Sequence, residues 1–421
     1  MSLRPPTPLG RPRSPIDRSF DRLIALAAVA IAISYLLAAV VAVLLPIEVR
    51  RAAWLPLHLA LAGGATSAIA GVMPYFTSAF AAAPPADRWL RIAALAGVSI
   101  SALGVAVGVA GDQMGLAVAG GLGFVGGIGL TGIAALRPLG QGLGPSRGLV
   151  TQGYVVALAE VGLGASIATL YLAGWDPVVG AWTQLKPAHA WLNLVGFVSL
   201  AIATTLLHFF PTVIGARITR RASTTMTVVG LGAGAPIVAL GYAIASDTIA
   251  RIGAIGAAVG AAGLAAYAAQ SWRTRARWTT DPAWHRYAIG GLVSAIVWFE
   301  IGIAIAAGRV LVLGADPAGW SIDVVAGPLV GGWITCTIVA SATHLIPAIG
   351  PGDPIAHGRQ RHLLGRAANP RLAIINLGVA LLSIGLAFGN GPVTQAGILS
   401  VAAGLVPTAV LFGAAIWIGV S

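Results

Sequence analysis

The chain has 421 residues, of which 57% are hydrophobic and only 9% charged, a balance that excludes a water-soluble core of this length. Its formal charge of +12 would point to a polyanion if the cations shared one face, but they lie between apolar runs, which excludes nucleic acid as the partner and leaves the lipid bilayer. A single cysteine, Cys336, sits inside such a run and excludes a disulfide framework.

In chain order, the first twenty residues, MSLRPPTPLGRPRSPIDRSF, are rich in Pro and Arg and lack the apolar stretch of a secretory signal, so 1–20 is expected to be a disordered cytoplasmic tail. A helix crossing a hydrocarbon core needs about 20 apolar residues. Pro, Gly and charge punctuate the rest of the chain into twelve such runs: 21–46, 51–77, 88–111, 113–137, 147–173, 186–216, 221–246, 248–272, 285–310, 322–349, 371–389 and 393–419. The predicted class is therefore an all-α integral membrane protein. With the N-terminus inside, only Arg50, Arg51, Lys186, Arg251 and Arg309 fall outside. All other Lys and Arg, Arg217, Arg273, Arg359 and Arg361 among them, fall on the inner side. Both termini are accordingly expected to be cytoplasmic.

The internal period predicts three groups of four helices, at 21–137, 147–272 and 285–419. HFFPTVIGARITRR begins at His208 and HLIPAIGPGDPIAHGR at His344, 136 residues later. Glu160 is followed fourteen residues on by GWDP, and Glu300 fourteen residues on by GADP; both glutamates open an E-x-G pattern. The third helix of each group carries glycines seven apart, Gly97 and Gly104, Gly234 and Gly241, Gly378 and Gly385, a spacing that places both on one helix face. The first group has diverged most, with Pro74 and Tyr75 where the others have HxxP.

Function is expected at the few ionisable groups inside the runs, because an ionised side chain at mid-bilayer costs about 2.5–3.5 kcal/mol even on lenient scales. Glu160 and Glu300 lie near the middles of runs five and nine. They either form a proton path or, as neutral acids, fasten helices by bonding a carbonyl. On runs two, six and ten, which share a direction, His58 and His189 lie towards the outer face and His208 and His344 towards the inner face. Imidazole binds haem iron, copper or zinc through a neutral nitrogen, so each layer is a candidate site; the alternative is a helix-end histidine bonding a carbonyl or reaching headgroups. Asn193, one turn from His189, is a candidate supporting partner. His285, His357 and His362 are expected in inner loops. The glycine-rich runs GGLGFVGGIG and GAIGAAVGAAG read as close helix packing, not phosphate loops.

Twelve spans in three quartets, with histidines on the second helix of each group and HAWLNLVGFVSLAIATTLLHFFPTVIGARI laying out histidine, proline and glycine in order, resemble the haem–copper oxidase subunit I superfamily and its NnrS-type haem and copper membrane relatives. By position, the resemblance implies that His58 matches a low-spin haem ligand and His189 a copper ligand. It fails further on: STTMTVVGLGAGAP in run seven has no histidine pair, and IDVVAGPLVGGW in run ten has no haem histidines. An oxygen-reducing binuclear centre is therefore not expected. The expectation is a non-oxidase protein of a prokaryotic plasma membrane that binds haem and/or copper and serves electron transfer, nitric oxide or nitrite response, or copper handling, with a respiratory or copper protein as partner. The other two readings are a proton-coupled transporter or channel using the intramembrane Glu and His, and a structural subunit of a respiratory complex.

Overall fold

The computed structural model describes residues 15–140, 148–219, 221–277 and 284–420, and among them every regular element is a helix. Twelve are long and apolar enough to cross a membrane. They run Leu23–Ala42, Trp54–Ala81, Arg88–Ala110, Met114–Leu139, Leu149–Leu172, Trp182–Ile214, Ala222–Ala243, Asp247–Trp272, His285–Leu313, Asp323–Ile349, Ala368–Ala387 and Gly391–Val420, and are called spans 1 to 12. The molecule is an all-helical integral membrane protein. Of the expected tail, 1–14 lies outside the described residues, and the first helix already begins at Pro15.

The helices form an inner set and an outer ring. Spans 6 and 10 are 78% buried and span 2 is 56% buried, against at most 50% for any other span, so these three form the centre. Span 1 packs on span 2, span 5 on span 6 and span 9 on span 10; spans 3 and 4, 7 and 8, and 11 and 12 pair closely; and contacts of span 4 with 5, 8 with 9 and 12 with 1 complete the ring.

Glycine makes the outer pairs close. A Cβ on Gly97 would stand 3.2 Å from the Cα of Gly127 and one on Gly104 3.5 Å from that of Gly120, while at Gly234 and Gly378 it would meet backbone nitrogens of spans 8 and 12. Gly241 and Gly385 likewise face Ala250 and Thr394. The seven-residue pairs are thus the seams of spans 3–4, 7–8 and 11–12, where backbones meet without side chains between them.

The duplicated GxDP segments are helix stops followed by helix starts. Gly174 and Gly314 take φ of +73° and +67°, the left-handed turn that ends spans 5 and 9 and that glycine adopts without a Cβ penalty. Next, Asp176 and Pro177 open a short helix, and Asp316 caps another by accepting a hydrogen bond from the Ala318 amide at 2.9 Å.

Each central helix contains a π-helical stretch: Leu59–Ala65 in span 2, Trp191–Ser199 in span 6 and Ala326–Ile334 in span 10. The span 2 stretch touches both others. A hydroxyl closes each one by donating to the carbonyl five residues back: Thr66 to Leu61 at 3.0 Å, Ser199 to Leu194 at 2.8 Å and Thr335 to Val330 at 2.8 Å. Three residues before each hydroxyl stands a glycine with no room for a Cβ. Gly63 receives the ring of Tyr35 from span 1, Gly196 the carboxylate of Glu160 from span 5, and Gly332 the indole of Trp298 from span 9. A widened turn beside a glycine is therefore how each central helix admits a large side chain from the preceding helix.

The HxxP segment of span 6 has a specific repair. Pro211 lacks the N–H that would bond the Leu207 carbonyl, and the Tyr267 hydroxyl of span 8 donates to that oxygen instead, at 2.6 Å. On the outer side as assigned from charge, three of the exceptional cations are tied down: Arg51 pairs with Asp112, Arg251 donates to the Leu311 carbonyl at 3.1 Å and Arg309 to that of Gly319 at 2.9 Å. On the opposite side, Arg371 is only 5% exposed, lies over the Tyr287 ring at 4.2 Å and bonds Thr408 at 3.1 Å. His357 and His362 sit on a helix, Pro354–Leu364, rather than in an open loop, and His285 begins span 9; Gln360 anchors that helix by donating to the Ala415 carbonyl at 2.9 Å.

Candidate functional site

The outer histidines come together. His58, just ahead of the span 2 π stretch, and His189, just ahead of that of span 6, have ring centroids 6.5 Å apart and planes only 13° from parallel. Each imidazole is oriented through Nδ1. In His58 it lies 2.7 Å from the Trp54 carbonyl one turn earlier, and in His189 it lies 2.9 Å from the Gly164 carbonyl of span 5. A carbonyl only accepts, so His58 carries its proton on Nδ1 and keeps the lone pair of Nε2, whereas His189 Nδ1 has both an acceptor, the Gly164 carbonyl, and a donor, the Asn193 amide, within reach.

The expected Asn193 is beside His189. It donates to the His189 backbone carbonyl at 2.7 Å, and its amide nitrogen is 3.1 Å from the ring Nδ1. Gly164 makes the arrangement sterically feasible, because a Cβ there would overlap the Asn193 amide. Gly164 stands four residues after Glu160 on the same face of span 5, whereas Gly162 of the E-x-G pattern faces open space. Aromatic rings enclose the pair: Trp54 stacks on His58 at 4.0 Å, Trp182 stands 6.3 Å from His189, and Tyr171 stacks on Trp182 at 3.9 Å.

One helical turn deeper, Glu160 fills the notch left by Gly196. It is 5% exposed, and neither carboxylate oxygen has a hydrogen-bond partner among the described residues. Its counterparts in the other two notches are satisfied: the Tyr35 hydroxyl donates to the Ser99 carbonyl at 2.6 Å and the Trp298 indole to Asn376 at 2.8 Å. Glu300 does not occupy the span 10 notch; Trp298, two residues earlier, does. Glu300 is half-buried, with Oε1 unpartnered.

The inner histidines are set differently. His208 lies 4.5 Å from the Phe80 ring of span 2, and its Nδ1 is buried without a hydrogen-bond partner. His344 stands edge-on to Phe209, 5.5 Å away. Both are walled by phenylalanines, and no group of three or more His, Cys, Asp or Glu suited to a metal occurs among the described residues. Cys336 is buried among span 10 side chains.

Sequence reasoning located the four histidines and two glutamates but not their company. Trp54 and Trp182 were invisible as members of the outer site, since twelve tryptophans are spread along the chain. A readable signal did exist for the notches: G-x-x-[ST] at 63–66, 196–199 and 332–335, on the helices already singled out. No protein-family model matches the chain, and no characterised protein matches it significantly in sequence.

Proposed function

We propose that the chain is a pseudo-threefold membrane protein, three quartets of helices with both ends on the cytoplasmic side, whose His58–His189 pair holds haem iron or a copper ion. The supporting observation is the pair itself. A metal would sit about 2.0–2.1 Å from each ligating imidazole nitrogen, so two histidines can hold one ion only if their rings lie within a few ångströms of each other. The two centroids are 6.5 Å apart with near-parallel planes. Both Nδ1 atoms lie against backbone carbonyls, which orients the rings as a supporting shell does in metal sites.

A haem iron or copper ion held there would supply one-electron chemistry, which fits electron transfer, nitric oxide or nitrite response, or copper handling. The chain's own residues contribute ligation by His58 and His189, ring orientation by Gly164 and Trp54, and exclusion of water by the indoles of Trp54 and Trp182. The pseudo-threefold part of the reading is supported by the three notches, the three closing hydroxyls and the three glycine seams. The cytoplasmic placement rests on the arginine-rich loops and on the neutralised partners of the outer cations.

The test is a visible spectrum and metal analysis of protein purified from cells supplied with haem and copper. A haem or copper signal is expected that is lost in His58→Ala and in His189→Ala and retained in His208→Ala and His344→Ala. Colourless, metal-free protein, or loss confined to the inner variants, contradicts the proposal. A second reading, proton or solute movement through the span 5–6 interface, is favoured by the unpartnered carboxylate of Glu160 and is separated by proton uptake into vesicles that Glu160→Gln abolishes.

A further inference from the structure

Immediately inward of the three π stretches, spans 2, 6 and 10 part around a cavity of about 90 Å³, with spans 1 and 5 completing its wall. The wall is almost wholly apolar, Ala68, Met73 and Ala201 among its residues, and its polar members are few. The hydrogen bonding of those members can be worked out. Thr205 donates its hydroxyl proton to the Ala201 carbonyl at 2.7 Å, so the Tyr154 hydroxyl, 2.8 Å away, must donate to Thr205. Tyr154 is left with a free lone pair. Thr337, 7% exposed and lining the same space from span 10, has a buried hydroxyl with no partner at all among the described residues. A buried hydroxyl left unmade costs about 1–3 kcal/mol, which is why such groups point to a missing companion.

Ser341 also lines the space, so Thr337, Ser341 and the Tyr154 lone pair give a water the two to four polar partners it needs, and any other small molecule would have to displace it. At about 90 Å³ the space is smaller than the roughly 150 Å³ apolar cavity that accepts benzene. We infer that this axial cavity is a binding site for a small uncharged molecule of diatomic or triatomic size, held by the apolar wall and by one hydrogen bond from the Thr337 hydroxyl. The inference does not depend on a metal at His58 and His189, and it stands or falls separately from that proposal.

Xenon and nitrous oxide are the probes, the second able to accept a hydrogen bond. The chain has four methionines, and only Met73 lines the cavity; Met114 and Met226 are 41% and 40% exposed on the outer surface. In protein labelled with carbon-13 at the methionine methyls, pressurising with either gas is expected to shift the Met73 resonance saturably, while Met114 and Met226 respond linearly as gas partitions into the surrounding detergent. Ala201→Leu should remove the saturable component, with Ala68→Leu as the second filling variant if the first does not fold. Thr337→Val should weaken nitrous oxide about five- to tenfold, the equivalent of one neutral hydrogen bond, and leave xenon unchanged. A Met73 response that is linear like the others, or that persists in both filled variants, overturns the site; an unchanged nitrous oxide response in Thr337→Val overturns the assigned hydrogen bond.

Discussion

At the residue scale, the most exposed decision in the chain is Glu160. Its two oxygens are buried without a hydrogen-bond donor among the described residues, in a position where tyrosine and tryptophan serve the other two notches by donating outward. An ionised carboxylate in such surroundings costs far more than a neutral acid, so Glu160 is expected to carry a proton at neutral pH. Infrared difference spectroscopy should find a protonated carboxylic acid band that disappears in Glu160→Gln; a carboxylate-only spectrum contradicts this. His58 and His189 pose the opposite demand, a neutral ring with one nitrogen kept open, and the Trp54 carbonyl meets it at His58. What made these residues legible was scarcity, since an ionisable group inside an apolar run stands out. What hid their surroundings was abundance: nothing in the sequence separates Gly164 from the chain's 56 glycines until the facing Asn193 is known.

At the element scale, the three notches carry a stability expectation. Gly196→Ala forces a methyl group into the Glu160 carboxylate within a π stretch, and overpacking of this kind costs about 1–3 kcal/mol. A lowered thermal midpoint in detergent is expected, with most of the loss recovered in the Gly196→Ala/Glu160→Ala double variant; additive losses contradict a direct clash. The span 6 proline gives a second case. Tyr267→Phe leaves the Leu207 carbonyl without the donor that replaces the missing proline N–H, at a cost of about 1 kcal/mol, whereas the same change at Tyr171, which touches Trp182 by its ring face, should cost little. Twelve helices and their approximate ends followed from apolar length alone. The π stretches did not, because they arise from what the preceding helix inserts, and helical periodicity averages over a single widened turn.

For the whole molecule, the charge pattern, the ring of paired helices and the central trio combine into one arrangement. Spans 2, 6 and 10 are shielded by nine others, run in one direction, and carry the outer imidazoles, the notches, the cavity and the inner histidines in that order. Duplicated HxxP and GxDP segments made the likeness of spans 5 and 6 to spans 9 and 10 legible. The first quartet was concealed by Tyr35 and Pro74 standing where its relatives have other residues, although Gly63 and Thr66 keep the notch. The central claim is that this trio brings His58 and His189 together, with ring centroids 6.5 Å apart. The direct measurement is cross-linking of the His58→Cys/His189→Cys variant by a short bifunctional thiol reagent in membranes, with Cys336 replaced by serine. Rapid intramolecular cross-linking of spans 2 and 6 is expected, with none between His58→Cys and a cysteine at the lipid-facing Leu240. Failure of the first pair to link while both thiols react singly would contradict the arrangement.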